Sequence, residues 1–148
     1  MISNKQIERR RNWIEELRTG GHPQVRREMT DGVGYCCLAV AEHVFGHRPK
    51  LVPGYDRTFA INGEQSQMSR ETAFKLGFLA TNPVLWVVPW NVDQRIRKFE
   101  KNDLEEISRS RVTLAFLNDG LGLTFKEIAD VIESQPANWT GVALDGES

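Results

Sequence analysis

Arginine and tryptophan carry most of the chemical potential in this chain. Of its 19 basic side chains 13 are Arg and 6 are Lys, and four Trp fall within 148 residues. A guanidinium offers a planar donor fork that matches phosphate oxygens and stacks on rings. An indole under a base and arginines on its phosphate would suit a nucleotide. The same two residue types anchor protein–protein interfaces. A solvated basic face over core tryptophans would also account for them. The candidates for a ligand site are Arg26, Arg27, Arg57, Arg95, Arg97, Arg109, Arg111 and Trp90. Their spacing alone does not bring them together.

The other reactive residues read as structural. Cys36 and Cys37 are adjacent, a spacing that hardly permits a disulfide between them. Two thiolates alone cannot build an all-sulfur zinc site. They are expected to be reduced thiols, at least one of them in a core. If Cys37 and His43 share one helix they stand about 9 Å apart along its axis, too far for a nucleophile–base pair. Glu42, His43 and His47 resemble a zinc-protease motif only in part. There the glutamate follows the first histidine and both histidines share one helical face. Here Glu42 precedes His43, and Gly46 is expected to end the helix before His47. No strand or Lys-Ser/Thr ending accompanies the glycines at 20–21 or 32–34, so a P-loop is excluded. The reading therefore assigns no catalytic residue, no metal and no cofactor.

These residues must be positioned by short elements. Ser3 with Gln6 forms a capping box, and Ile7, Ile14 and Leu17 share one face with Trp13 beside it. Gly20 and Gly21 stop that helix. Tyr35 to Phe45 is almost wholly apolar and predicts a buried helix ended by Gly46. A short strand is expected over Thr58–Asn62, a brief helix after Ser69, and a strand over Val84–Val88 between two prolines. The stretch 90–101 is ambiguous. A helix capped by Asn102 is expected to carry Leu104, Ile107, Val112, Leu114 and Leu117. Thr124 with Glu127 forms a second capping box ahead of the stripe Phe125, Ile128, Ala129 and Ile132. The fold class expected is α+β: short amphipathic helices with a small sheet from the middle of the chain. One globular domain is expected over 1–139, with a flexible tail over 140–148.

Bulk properties narrow the partners. The net charge is -1 and 26% of residues are charged, so there is no global attraction to nucleic acid or anionic lipid. The charged N-terminus lacks the apolar core of a signal peptide, and no stretch approaches a membrane span. The location expected is the cytoplasm, with no membrane partner. The segment 124–133 resembles the first helix of a helix-turn-helix, but no recognition helix follows it.

Three segments together resemble a family of small uncharacterised proteins of phages and prophages. They are NWIEELRTG at 12–20, GYCCLAV at 34–40 and LAFLNDGLGLTFKEIADVIE at 114–133. The family pattern has glycine where this chain has Ala39. The resemblance implies a phage or prophage origin and no assigned activity. By analogy the expectation is a non-enzymatic accessory protein acting in the host cytoplasm. It would block a host, defence-related protein or sequester a nucleotide signal, with homo-oligomers as a further expectation. A DNA-binding regulator with a degenerate helix-turn-helix and a nucleotide-directed hydrolase are the alternatives.

Overall fold

The computed structural model describes residues 2–144. Six helices and one antiparallel pair of strands make an α+β fold. The helices are α1 (Asn4–Thr19), α2 (Cys37–Val44), α3 (Arg70–Lys75), α4 (Trp90–Asp103), α5 (Leu114–Asp119) and α6 (Phe125–Glu133). The strands are β1 (Pro49–Leu51) and β2 (Phe59–Ile61), with Lys50 opposite Ala60. Among the described residues no helix is long and apolar enough to cross a membrane.

Local chemistry sets the helix ends. Both capping boxes form: Ser3 with Gln6 opens α1, and Thr124 with Glu127 opens α6. The Ser69 hydroxyl caps α3. Cys36 caps α2, its sulfur accepting from the Ala39 N–H at 3.4 Å. Gly46, at φ +90°, takes the chain out of α2.

The helix α2 is the centre of the molecule, with Cys37 to Glu42 all buried. It packs against α1 and α5, and α6 closes the group by packing against α1 and α5. The three segments that carry the family resemblance meet here. Trp13 donates its indole N–H to the Cys37 carbonyl at 3.0 Å. Asn118 accepts from the Cys37 N–H at 3.2 Å and donates to the Val25 carbonyl at 2.9 Å. Arg18 bridges to Asp130 at 2.7 Å and to Glu133 at 3.0 Å. Ala39 is fully buried.

Arg10 is the most unusual element of the core. Its guanidinium is buried and donates to the carbonyls of Leu76, Gly77 and Trp139 at 2.5, 3.1 and 2.6 Å. It also lies 4.2 Å from the centre of the Phe78 ring. Burial lowers its pKa to about 10. Gly77 allows this approach: at φ +81° a Cβ would sit 3.2 Å from the guanidinium.

The middle of the chain departs from expectation. Val84–Val88 makes only an isolated bridge, Val84 to Thr113, because Gln135 takes the backbone N–H groups of Trp86 and Val87. Residues 90–103 are helical as α4, so Asn102 ends a helix instead of starting one. Leu104 turns the chain at φ +55° and is exposed, and the expected 102–117 helix reduces to a turn at Arg109–Arg111 followed by α5. The strand expected over Thr58–Asn62 forms as β2, and its partner β1 starts at Pro49, a residue that suits only a strand edge. Of the expected tail, Thr140 and Gly141 are held to the body through Leu79 and Val84 N–H groups. Residues 145–148 lie outside the described part.

Candidate functional site

All three histidines lie around the C-terminal end of α2. Residues 23–25 run beside 34–35: the Tyr35 N–H donates to the Pro23 carbonyl at 2.8 Å, and the Val25 N–H to the Tyr35 carbonyl at 3.0 Å. Gly34 permits this approach, since a Cβ there would stand 2.8 Å from the Pro23 oxygen. The pairing lays His22 against Tyr35 and His43, with ring centres 4.9 and 4.4 Å away. Glu16, in the last turns of α1, faces both imidazoles. Its Oε2 is 2.6 Å from His22 Nε2 and 3.9 Å from His43 Nε2. The Tyr35 hydroxyl is 3.3 Å from His43 Nδ1. Burial, then the positive charge of Arg48, holds the His43 pKa below its ordinary value. Each of the three side chains is partly open to solvent, beside a hollow of about 460 Å³ bounded by Asn12, Glu15, Glu16, His43 and Val44.

The other side of α2 holds a different carboxylate. Glu42 is fully buried and accepts from the Thr72 hydroxyl and the Ser69 N–H, both at 2.7 Å, and from Asn62 at 3.3 Å. It ties α2 to the end of β2 and to the start of α3. His47 Nε2 lies 3.9 Å from Glu42 and 3.6 Å from Glu71. That nitrogen is buried without a hydrogen-bond partner among the described residues.

Beyond His47 the strands β1 and β2 border a hollow of about 780 Å³. His47, Arg48 and Lys50 line one part of it and Asn62 and Gln65 another; no Asp or Glu lines it among the described residues. Arg48 and Lys50 are exposed, and Arg48 uses one guanidinium nitrogen on the His43 and His47 carbonyls at 3.1 and 2.9 Å. The volume suits a small-molecule site.

The sequence-predicted arginines do not converge in one pocket. Arg109 forms pairs with Asp93 and Glu100 at 2.6 and 3.0 Å, and Arg97 pairs with Asp93 at 2.8 Å. Arg95 pairs with Glu127 at 3.3 Å and donates to the Leu121 carbonyl. Arg26 donates to the neighbouring Gly122 carbonyl, and the Arg27 N–H to Asp119. So Arg95 and Arg26 share one loop, while Arg95, Arg97 and Arg109 serve α4 and its surroundings. Arg57 is exposed in the β1–β2 connection, and Arg111 is exposed at the turn before α5. Trp90 is 77% exposed, whereas Trp13 and Trp139 are core residues.

The cysteines are buried. Burial pushes the Cys36 thiol up to about 12 and the Cys37 thiol well above its ordinary value. Both are far from thiolate chemistry at neutral pH. Sequence reasoning passed over Glu16, His22, Arg48 and Lys50. Its search for helical spacing could not see a histidine delivered by a loop. Proximity of His47, Arg48 and Lys50 in sequence was an available signal.

A family model described as a domain of unknown function, DUF8296, matches residues 4–136. The chain belongs to the DUF8296 family. The match takes in α1 to α6, the three histidines and the β1–β2 hairpin, and stops before Trp139. No curated protein and no solved structure matches this DUF8296 chain.

Proposed function

We propose that this DUF8296 protein is a non-enzymatic, phage-type accessory protein of the host cytoplasm. It sequesters a phosphate-bearing small molecule of the nucleotide class in the hollow beside the hairpin. The observation that carries this reading is the lining: exposed Arg48 and Lys50 with His47 and two side-chain amides, and no Asp or Glu among the described lining residues, although Glu42 and Glu71 stand behind His47. Charge-assisted hydrogen bonds from Arg and Lys to phosphate oxygens are among the stronger polar contacts a protein makes. An overall charge of -1 makes this local concentration of cations the more distinctive.

Calorimetric titration with ATP, a cyclic dinucleotide and inorganic pyrophosphate tests it. At least one is expected to bind, more weakly as salt rises, and R48A/K50A together should weaken binding roughly tenfold or more. Absence of binding at millimolar ligand, or equal binding by the double variant, would remove the reading.

A second reading, blockade of a host protein, is favoured by one feature. Phe74 and Leu79 are 70% and 76% exposed, near a hollow bounded by Arg70, Ala73, Phe78 and Asn82. Exposed apolar side chains of this size suit interface anchors. Capture of one host protein from infected-cell lysate by the parent chain, lost in Phe74→Ser, Leu79→Ser while ligand binding is retained, would favour this second reading.

A further inference from the structure

The cluster at Glu16, His22 and His43 is independent of the hairpin hollow and has a chemistry of its own. Two imidazole nitrogens and one carboxylate oxygen, from three separate segments, lie within 4.8 Å of one another. All three ligating atoms point inward: Nε2 of both histidines faces Oε2 of Glu16. We propose that Glu16, His22 and His43 form a three-ligand site for a divalent first-row transition ion, zinc being the best fit, with its fourth position open to solvent.

The geometry asks for little rearrangement. Bonds of roughly 2.0–2.1 Å in a tetrahedron set neighbouring ligand atoms about 3.3 Å apart. The present separations are 2.6 Å for Glu16–His22 and 3.9 Å for Glu16–His43. These two must lengthen and shorten by well under an ångström, and the two imidazoles, whose ligand atoms lie within 4.8 Å, must also draw together, all by side-chain torsions. Without the ion, the short Glu16–His22 contact is a hydrogen bond holding the carboxylate in place.

The surroundings fit as well. A metal-binding imidazole is oriented by what its other nitrogen touches. For His43 that group is the Tyr35 hydroxyl, 3.3 Å from Nδ1. Two nitrogens with one oxygen suit zinc and its neighbours, whereas magnesium and calcium prefer sets of oxygens. The hollow beside Glu16 and His43 gives water, or a ligand's donor atom, access to a fourth position. Three protein ligands with an open fourth position is the pattern of reactive zinc sites, whereas structural ones are closed by four.

The test uses the untagged full-length chain, stripped with a chelator and titrated with zinc chloride by calorimetry and with cobalt chloride by visible absorption. One ion per chain is expected, with the intense visible bands of four-coordinate cobalt. Zinc should shift the ring resonances of His22 and His43 in NMR spectra and leave those of His47 in place. Glu16→Gln, which keeps the shape of the side chain, and His43→Ala should each weaken zinc binding roughly tenfold or more. Cys36→Ala should bind as the parent does. Failure of the parent chain to bind, or unchanged affinity in Glu16→Gln, would leave the cluster a hydrogen-bonded structural joint and overturn the proposal. Loss of the ion in Cys36→Ala would place the ion on the thiols and overturn it equally.

Discussion

Glu16 and Glu42 flank the same end of α2, yet their surroundings differ in kind. Glu42 is fully enclosed, and its oxygens accept from a backbone N–H, a hydroxyl and an amide. Glu16 is about a third exposed and faces two imidazoles. The first carboxylate holds three segments together. The second has short-range partners that can change protonation or exchange a hydrogen bond for a metal. A buried polar group that is fully satisfied specifies structure, whereas one with room to change partners is available for function.

The largest expected effect is on the Glu42 side. Glu42→Ala leaves the Ser69 N–H, the Thr72 hydroxyl and the Asn62 amide without their acceptor. It should cost about 3–5 kcal/mol in urea unfolding, since each buried donor left unsatisfied costs about 1–3 kcal/mol. A variant as stable as the parent would dissolve the contrast between the two glutamates. Glu42→Gln keeps one acceptor oxygen and should fall between the two. On the Glu16 side, Glu16→Gln should change stability by no more than about 1 kcal/mol, since the contact it alters is partly exposed. A larger loss would make Glu16 a second structural anchor.

Acid sharpens the comparison with smaller effects. His43 has its folded pKa lowered, so its contribution to stability is complete above the ordinary imidazole value and is lost as pH falls below it. NMR titration of its ring protons should give a midpoint below 6.5. A carboxylate outside both sites behaves differently. Arg109 holds Glu100 down at about 2, so its contribution persists above 4.5 and fades as pH falls from 4.5 towards 2. Melting temperatures across these two windows should fall in separate steps, and Arg109→Gln should flatten only the lower one. The smallest effect concerns the thiols. Native alkylation of Cys36 and Cys37 should be slow until the chain unfolds, because both are buried with raised pKa values. Rapid labelling would show that the start of α2 opens where Cys36 meets Met29 and Cys37 meets Leu114.

Legibility in the sequence followed the range of the interactions. Ser3 with Gln6 and Thr124 with Glu127 act over three residues, and both capping boxes stand where the pattern puts them. The apolar run after Tyr35 became the central helix for the same reason. The 84–117 region failed because its outcome depends on distant groups. Gln135 captures the N–H groups of Trp86 and Val87, and Glu100 takes the Ile107 N–H, so neither stretch follows its own propensity. The candidate sites were less legible still. Asp93 and Glu100 neutralise Arg109, and a loop paired across Gly34 delivers His22 to His43. No spacing rule along one element describes either event.

Arg10 carries a last implication, for the order in which the molecule can come together. Its three carbonyl partners lie 66, 67 and 129 residues further along the chain, and α1 packs on α6. During synthesis α1 leaves the ribosome well before Leu76, Gly77, α6 and Trp139. Contacts between distant segments slow folding, because loop closure precedes any stabilisation from them. Until α6 and Trp139 emerge, the face of α1 that packs on α6 is uncovered and the Arg10 guanidinium lacks its third carbonyl. The helix α1 is thus locked late, and a nascent chain stalled before α6 would present its apolar stripe to chaperones and proteases.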